Sequence, residues 1–245
     1  MIGLVVVSHS RALARAAVEL ATEILPDQQV RIEIAAGLDE NTFGTDAVAV
    51  ADAITAADTG DGVLVLMDLG SAVLSAETAL EFVPSPGQVR LSGAPLVEGL
   101  VTAVAAAGGG ATLDSVAWEA DHALAGKHLQ LDQSPSPAHR YPDPPPPGAP
   151  PPPALHREAL ILVTNPHGLH ARPAAALVAA LRALDAEVDL RNATTGTGPV
   201  PADSLTRVLT LGLLPGHHLA VTASGPEAAR AIQLIRDLAT GEATT

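Results

Sequence analysis

The chain has no cysteine, one tryptophan, one tyrosine and two phenylalanines in 245 residues. Without thiols there is no disulfide framework, no thiolate nucleophile and no thiolate metal site. With aromatics at 2% and hydrophobic residues at 47%, any core is built from alanine, valine and leucine, which lets elements approach closely. An uncharged apolar run of the roughly 18 residues a membrane span needs is also missing. The first apolar run leads into RALARAAVELATE, where Arg11, Arg15, Glu19 and Glu23 rule out a secretory leader. A cytoplasmic protein with no membrane insertion is expected.

Positive charge is scarce and unevenly placed. Residues 1–132 carry 5 Lys/Arg against 18 Asp/Glu, a net of −13, whereas residues 133–245 carry 8 against 9, a net of −1. An acidic first half argues against a nucleic-acid ligand; it suits a partner that presents positive charge or, equally, serves solubility alone.

Proline is concentrated instead of scarce. Eleven of the 21 prolines fall in SPSPAHRYPDPPPPGAPPPP, residues 134–153. Proline fixes φ and removes a backbone donor, so this stretch is neither ladder strand nor helix interior. These 20 residues read as an extended tether of up to roughly 60 Å if fully stretched, the linker as a whole running over 132–156; a ligand for a proline-binding module is the alternative. The flanking segments are then domains at 1–131 and 157–241.

In the first, apolar runs at 4–7, 30–34 and 62–67 alternate with helical patterns at 11–24, 45–56 and 73–82. That rhythm predicts an α/β fold, a doubly wound, mainly parallel sheet. A short strand at 88–91 and helices at 95–107 and 112–123 follow. In the second, strands at 158–163, 187–192, 198–200 and 218–223 and helices at 172–184, 203–209 and 226–239 give βαββαβα, a compact α+β unit.

Two histidines stand where a strand hands over to a helix. His9 lies in VVVSHSRALARA, and Asp68 holds the equivalent place in VLMDLGSA. In open α/β sheets, ligands bind beyond the carboxyl ends of the strands. If the two strands are neighbours, imidazole and carboxylate share a cleft. The carboxylate would then fix one ring nitrogen and leave the other as a nucleophile. Gly70 and Ser71 would offer backbone N–H groups to an anion at a helix start. A plainer reading stays open, in which Asp68 caps a helix and His9 is an ordinary loop residue. His170, in NPHGLHARPAAALVAA, precedes a helix with Arg172 and Pro173 in its first turn. Unpaired N–H groups and a guanidinium there suit a dianion, such as a phosphoryl group carried on the ring.

The stretch GLHARPAAALV, continuing through ADSLTRVLTLGLLPGHHLAVTASGPEAARAIQLI, resembles HPr, the histidine phosphocarrier of the bacterial phosphotransferase system. The resemblance implies an open-faced α+β sandwich, phosphorylation of His170 on Nδ1 with Arg172 assisting, and a regulatory-serine position at Ser204. That serine also suits simple helix capping. The first domain, through VVVSHS, FGTDAVAVADAI, GVLVLMDLGSAVLSAETALE and APLVEGLVTAVAAAGG, resembles mannose-class enzyme IIA. Within that class, DLGSA favours the phosphotransferase subunits of phosphoenolpyruvate-dependent dihydroxyacetone kinases over sugar-transporting members. By that likeness His9 carries phosphate, Asp68 orients it, and the domain forms a homodimer.

The resemblance implies a relay with no bound cofactor, its phosphate coming ultimately from phosphoenolpyruvate. Enzyme I charges His170, His9 receives the phosphate, and the ADP-binding subunit of dihydroxyacetone kinase accepts it, the substrate-binding subunit completing the reaction. Some relatives carry a further enzyme I-like domain; none occurs before Thr245, so a separate enzyme I is expected. Two rivals are an enzyme IIA–HPr fusion feeding a sugar permease and a phosphorylation-state sensor acting on a regulator. His167 and His170 have an H-x-x-H spacing, but without nearby carboxylates no metal is expected.

Overall fold

A computed structural model of the chain describes residues 1–25, 29–84, 88–131, 156–166, 168–169 and 171–241. They fall into two compact units, Met1–Leu124 and Ala125–Thr245. The expected tether at 132–156 lies outside the described residues except for His156.

In the first unit, β1 (Gly3–Ser8), β2 (Ile32–Ala36), β3 (Val63–Met67) and β4 (Val89–Ser92) form one sheet in the order β2-β1-β3-β4. Every pairing is parallel. All residues of the central strands β1 and β3 are buried, because a parallel sheet is covered on both faces; GLVVVS and VLVLM are therefore nearly unbroken apolar runs. The period of two survives in the choice of face. Val5, Val7, Val63, Val65 and Met67 join α2 (Ala47–Ala57) and α3 (Gly70–Ala79) in one cluster. The opposite face is covered by α1 (Arg11–Ile24), α4 (Leu96–Gly108) and α5 (Leu113–Asp121). Small side chains allow this close layering. A Cβ on Gly3 would lie 2.2 Å from the carbonyl oxygen of Ala57, at the end of α2.

Side-chain caps set three of these helix starts: Ser10 accepts from the Leu13 N–H, Asp46 from Val48 and Thr112 from Ser115. The helix expected at 73–82 begins earlier, at Gly70. Gly and Ser are weak helix formers, and Leu69 at the N-cap makes no side-chain capping bond, so the sequence carries no start signal there. All four arginines of this unit are in ion pairs: Arg11 and Arg15 with Glu40, Arg31 with Glu33, Arg90 with Asp114. The lone Trp118 stacks on His122 with ring centroids 4.2 Å apart.

The second unit contains α6 (Ala125–Gln130), β5 (Arg157–Leu162), α7 (Ala171–Arg182), β6 (Glu187–Asn192), β7 (Val200–Pro201), α8 (Leu205–Leu209), β8 (His218–Ser224) and α9 (Ala228–Thr240). Its strands pair antiparallel in the order β5-β8-β6-β7. Along β8, Leu219, Val221 and Ala223 point into the core, and α7 and α9 contribute Leu177, Val178, Ile232 and Ile235 to it. Leu160, Leu162 and Thr222 are exposed, so among the described residues one face of the sheet is uncovered, an open-faced sandwich as expected. One polar group is central. Buried Asn192 donates to the Leu211 carbonyl and lies 3.0 Å from His217 Nδ1, while its Oδ1 accepts from the Thr194 and Thr195 N–H groups. α6, which meets α8, was not expected; AGKHLQ is too short to show a helical period.

Candidate functional site

The order β2-β1-β3-β4 reverses direction at β1, the point where an open α/β sheet leaves a crevice beyond its strand ends. His9 leaves the end of β1 and Asp68 the end of β3, and the two strands pair with Val7 opposite Met67. The side chains meet there: His9 Nδ1 lies 3.0 Å from Asp68 Oδ1. The His9 main-chain N–H donates to Asp68 Oδ2 at 2.9 Å, the Ser8 hydroxyl to the same oxygen at 2.8 Å, and the Leu69 N–H to Oδ1 at 2.7 Å. Asp68 thus accepts from four donors on two oxygens. It does not cap α3, whose N-cap is Leu69.

Burial opposes ionisation of Asp68, but the His9 N–H, the His9 ring, the Ser8 hydroxyl and the Leu69 N–H outweigh it and hold the carboxyl below the ordinary Asp pKa. An ionised carboxylate only accepts, so His9 Nδ1 carries the proton and Nε2 the lone pair. Ser71 Oγ lies 2.8 Å from that Nε2. The early start of α3 places Ser71 in its first turn, so Nε2 faces a helix N-terminus. A Cβ added to Gly70 would meet nothing within 4 Å, so the space beside that turn is open. The His9 side chain is 23% exposed against 9% for Asp68: the ring reaches solvent while its anchor is covered.

The surrounding loop is tied to the same residues. The Gly37 N–H donates to the Ser8 carbonyl and the Gly44 N–H to the His9 carbonyl. Thr45 Oγ1 bonds Ser75 Oγ at 2.7 Å, joining the entry of α2 to α3.

In the second unit, His170 and His167 lie outside the described residues. Arg172 is exposed in the first turn of α7. The preceding loop is pinned: Gly168 has φ +66°, and a Cβ there would fall 2.1 Å from the Leu213 carbonyl oxygen, which accepts from the Leu169 N–H at 3.0 Å. Ser204 is the N-cap of α8, only 5% exposed, and its hydroxyl accepts from the Arg207 N–H at 3.2 Å. Among the described residues no group of three or more His, Cys, Asp or Glu could hold a metal ion, and no helix is long and apolar enough to cross a membrane. Sequence reasoning missed Ser8. A serine before a histidine carries no signal of its own, and only the neighbouring strand ending in Asp68 points to it.

Comparison with known proteins agrees with this division. The family model for the PTS system fructose IIA component matches residues 3–117, and that for the PTS HPr component phosphorylation site matches 158–240. A protein of Pantoea ananatis named PEP-dependent dihydroxyacetone kinase, phosphoryl donor subunit DhaM, is 41% identical over 98% of this chain and 50% of its own length. Its Escherichia coli counterpart is 40% identical over the same shares. The chain therefore spans about half the length of these relatives. The second such DhaM subunit of Listeria innocua is 37% identical over 42% of this chain and 83% of its own length. A 105-residue match that covers most of the shorter subunit and a whole that aligns throughout with half of the longer ones lead to one assignment: the chain belongs to the DhaM family of phosphoryl donor subunits.

Proposed function

We propose that this chain relays phosphate in two steps, from enzyme I to His170 and from His170 to His9, and delivers it to ADP held by the ADP-binding subunit of a dihydroxyacetone kinase. The observation that carries the reading is the His9 site: Nδ1 held 3.0 Å from the Asp68 carboxylate, and Nε2 2.8 Å from Ser71 in the first turn of α3. In the first step at His9, Nε2 attacks the phosphorus on His170, the P–N bond to His170 breaks, and the Nδ1 proton stays on the Asp68 hydrogen bond. Ser71 Oγ then turns from the ring nitrogen to the phosphoryl oxygens, joined by the Gly70 and Ser71 N–H groups. Such chemistry needs alignment and charge stabilisation more than a deep pocket. Arg172, exposed beside the first turn of α7, supplies the cation for phosphate on His170. In the second step an ADP oxygen attacks the same phosphorus and Nε2 leaves with its lone pair restored. The domain of residues 1–131 is read as a homodimer, in keeping with its resemblance to mannose-class enzyme IIA.

Intact mass after incubation with phosphoenolpyruvate and enzyme I tests the order. The wild type is expected to gain two acid-labile phosphates, His9→Ala one and His170→Ala none. Charging of His9 in His170→Ala would remove the relay. Sedimentation at micromolar concentration tests the dimer, which a monomeric species would refute.

A further inference from the structure

We propose that Ser8 is a positioning residue for phosphoryl transfer at His9: its hydroxyl locks the Asp68 carboxylate in the orientation that leaves Nε2, and not Nδ1, as the reacting nitrogen. The inference rests on the reading of His9 as a phosphoryl carrier.

Ser8 is the last residue of β1 and is fully buried. A hydroxyl has one proton to give. The Ser10 carbonyl lies 3.1 Å from Ser8 Oγ, but it already accepts the Ala14 N–H of α1. Asp68 Oδ2 is closer, at 2.8 Å, and belongs to an ionised group, so the proton goes there. The oxygen of Ser8 in turn accepts the Ser10 N–H at 3.1 Å. One side chain thus links the carboxylate to the backbone of the residue that caps α1. Residues Ser8 and Ser10 grip the two sides of His9, the first through Asp68 and the second through the helix.

The consequence is directional. Of the four donors on Asp68, two are main-chain N–H groups and one is the ring itself. Ser8 supplies the remaining donor, and together with the His9 main-chain N–H it holds Oδ2 and aims Oδ1 at Nδ1. Without that bond Oδ2 is left with the His9 main-chain N–H alone, the hold on the carboxylate loosens, and the tautomer of the ring is fixed less firmly. A ring protonated at Nε2 has no lone pair facing Ser71 and α3.

The test uses the full chain labelled with 15N-histidine, His9 signals being assigned by their absence in His9→Ala. The wild type is expected to show a protonated Nδ1 and an unprotonated Nε2. Ser8→Ala is expected to show a mixture of the two tautomers. Its single-turnover phosphorylation of His9 should fall about tenfold, with charging of His170 unchanged. Ser8→Thr, which keeps the hydroxyl, should restore both. If Ser8→Ala does not fold, Ser8→Cys replaces it, since a thiol fills the space but donates weakly. A wild-type tautomer and rate in the variant lacking the hydroxyl would overturn the role of Ser8. A wild-type ring protonated at Nε2 would overturn the underlying reading of His9.

Discussion

At the scale of the residue, Asp68 does what its place in the sequence leaves open. It is anchored by donors from both adjacent strands' ends, and each of these favours the ionised form. A carboxyl whose pKa is lowered by folding stabilises the folded state above the unfolded pKa and loses that contribution as pH falls through the folded value. The urea midpoint of Asp68→Asn is therefore expected below that of the wild type at neutral pH, the gap closing below about pH 4. A gap that stays constant with pH would show the loss to be one of shape, not charge. In the second unit, Asn192 is the polar counterpart of a core leucine, every amide atom engaged. Asn192→Ala leaves the buried Leu211 carbonyl without this partner and should cost about 2 kcal/mol, read by chemical denaturation.

At the scale of the element, two small features carry the layering of the first unit. Gly3→Ala pushes a Cβ into the last carbonyl of α2 and should destabilise by about 2 kcal/mol or more. Thr112→Ala removes the cap of α5 and should cost about 1 kcal/mol, seen as a lower midpoint at unchanged denaturant slope. The central strands were legible in the sequence because parallel strands must be apolar on both faces, and β1 and β3 fall within one residue of their expected ends. Helices with a capping side chain, such as α1, were legible for the same reason that they are stable. The start of α3 was not. Leu69, Gly70 and Ser71 give no capping or propensity signal, and tertiary packing sets that turn. That turn faces His9: Gly70 and Ser71 were expected to present their N–H groups there at a helix start, although the helical period itself showed only from residue 73. Ser8 was hidden, because its partner is 60 residues away.

At the scale of the whole molecule, charge is partitioned between the two units. In the first, carboxylates outnumber arginines and each arginine is already spent on an ion pair, leaving a net negative body. The second is nearly neutral and exposes Arg172. With fragments 1–124 and 125–245 supplied separately, the proposed transfer from His170 to His9 should slow as salt rises through the range where the screening length falls below about 10 Å. Salt-independent transfer would remove electrostatic attraction from the encounter. The stacked pair Trp118 and His122 gives the chain a further asymmetry, an optical one. The only indole of the protein sits in α5 of the first unit, so intrinsic fluorescence excited at the indole band is a private channel to that unit. Circular dichroism sums both units, and the difference between the two signals is a readout of the second unit in a molecule that needs no added label.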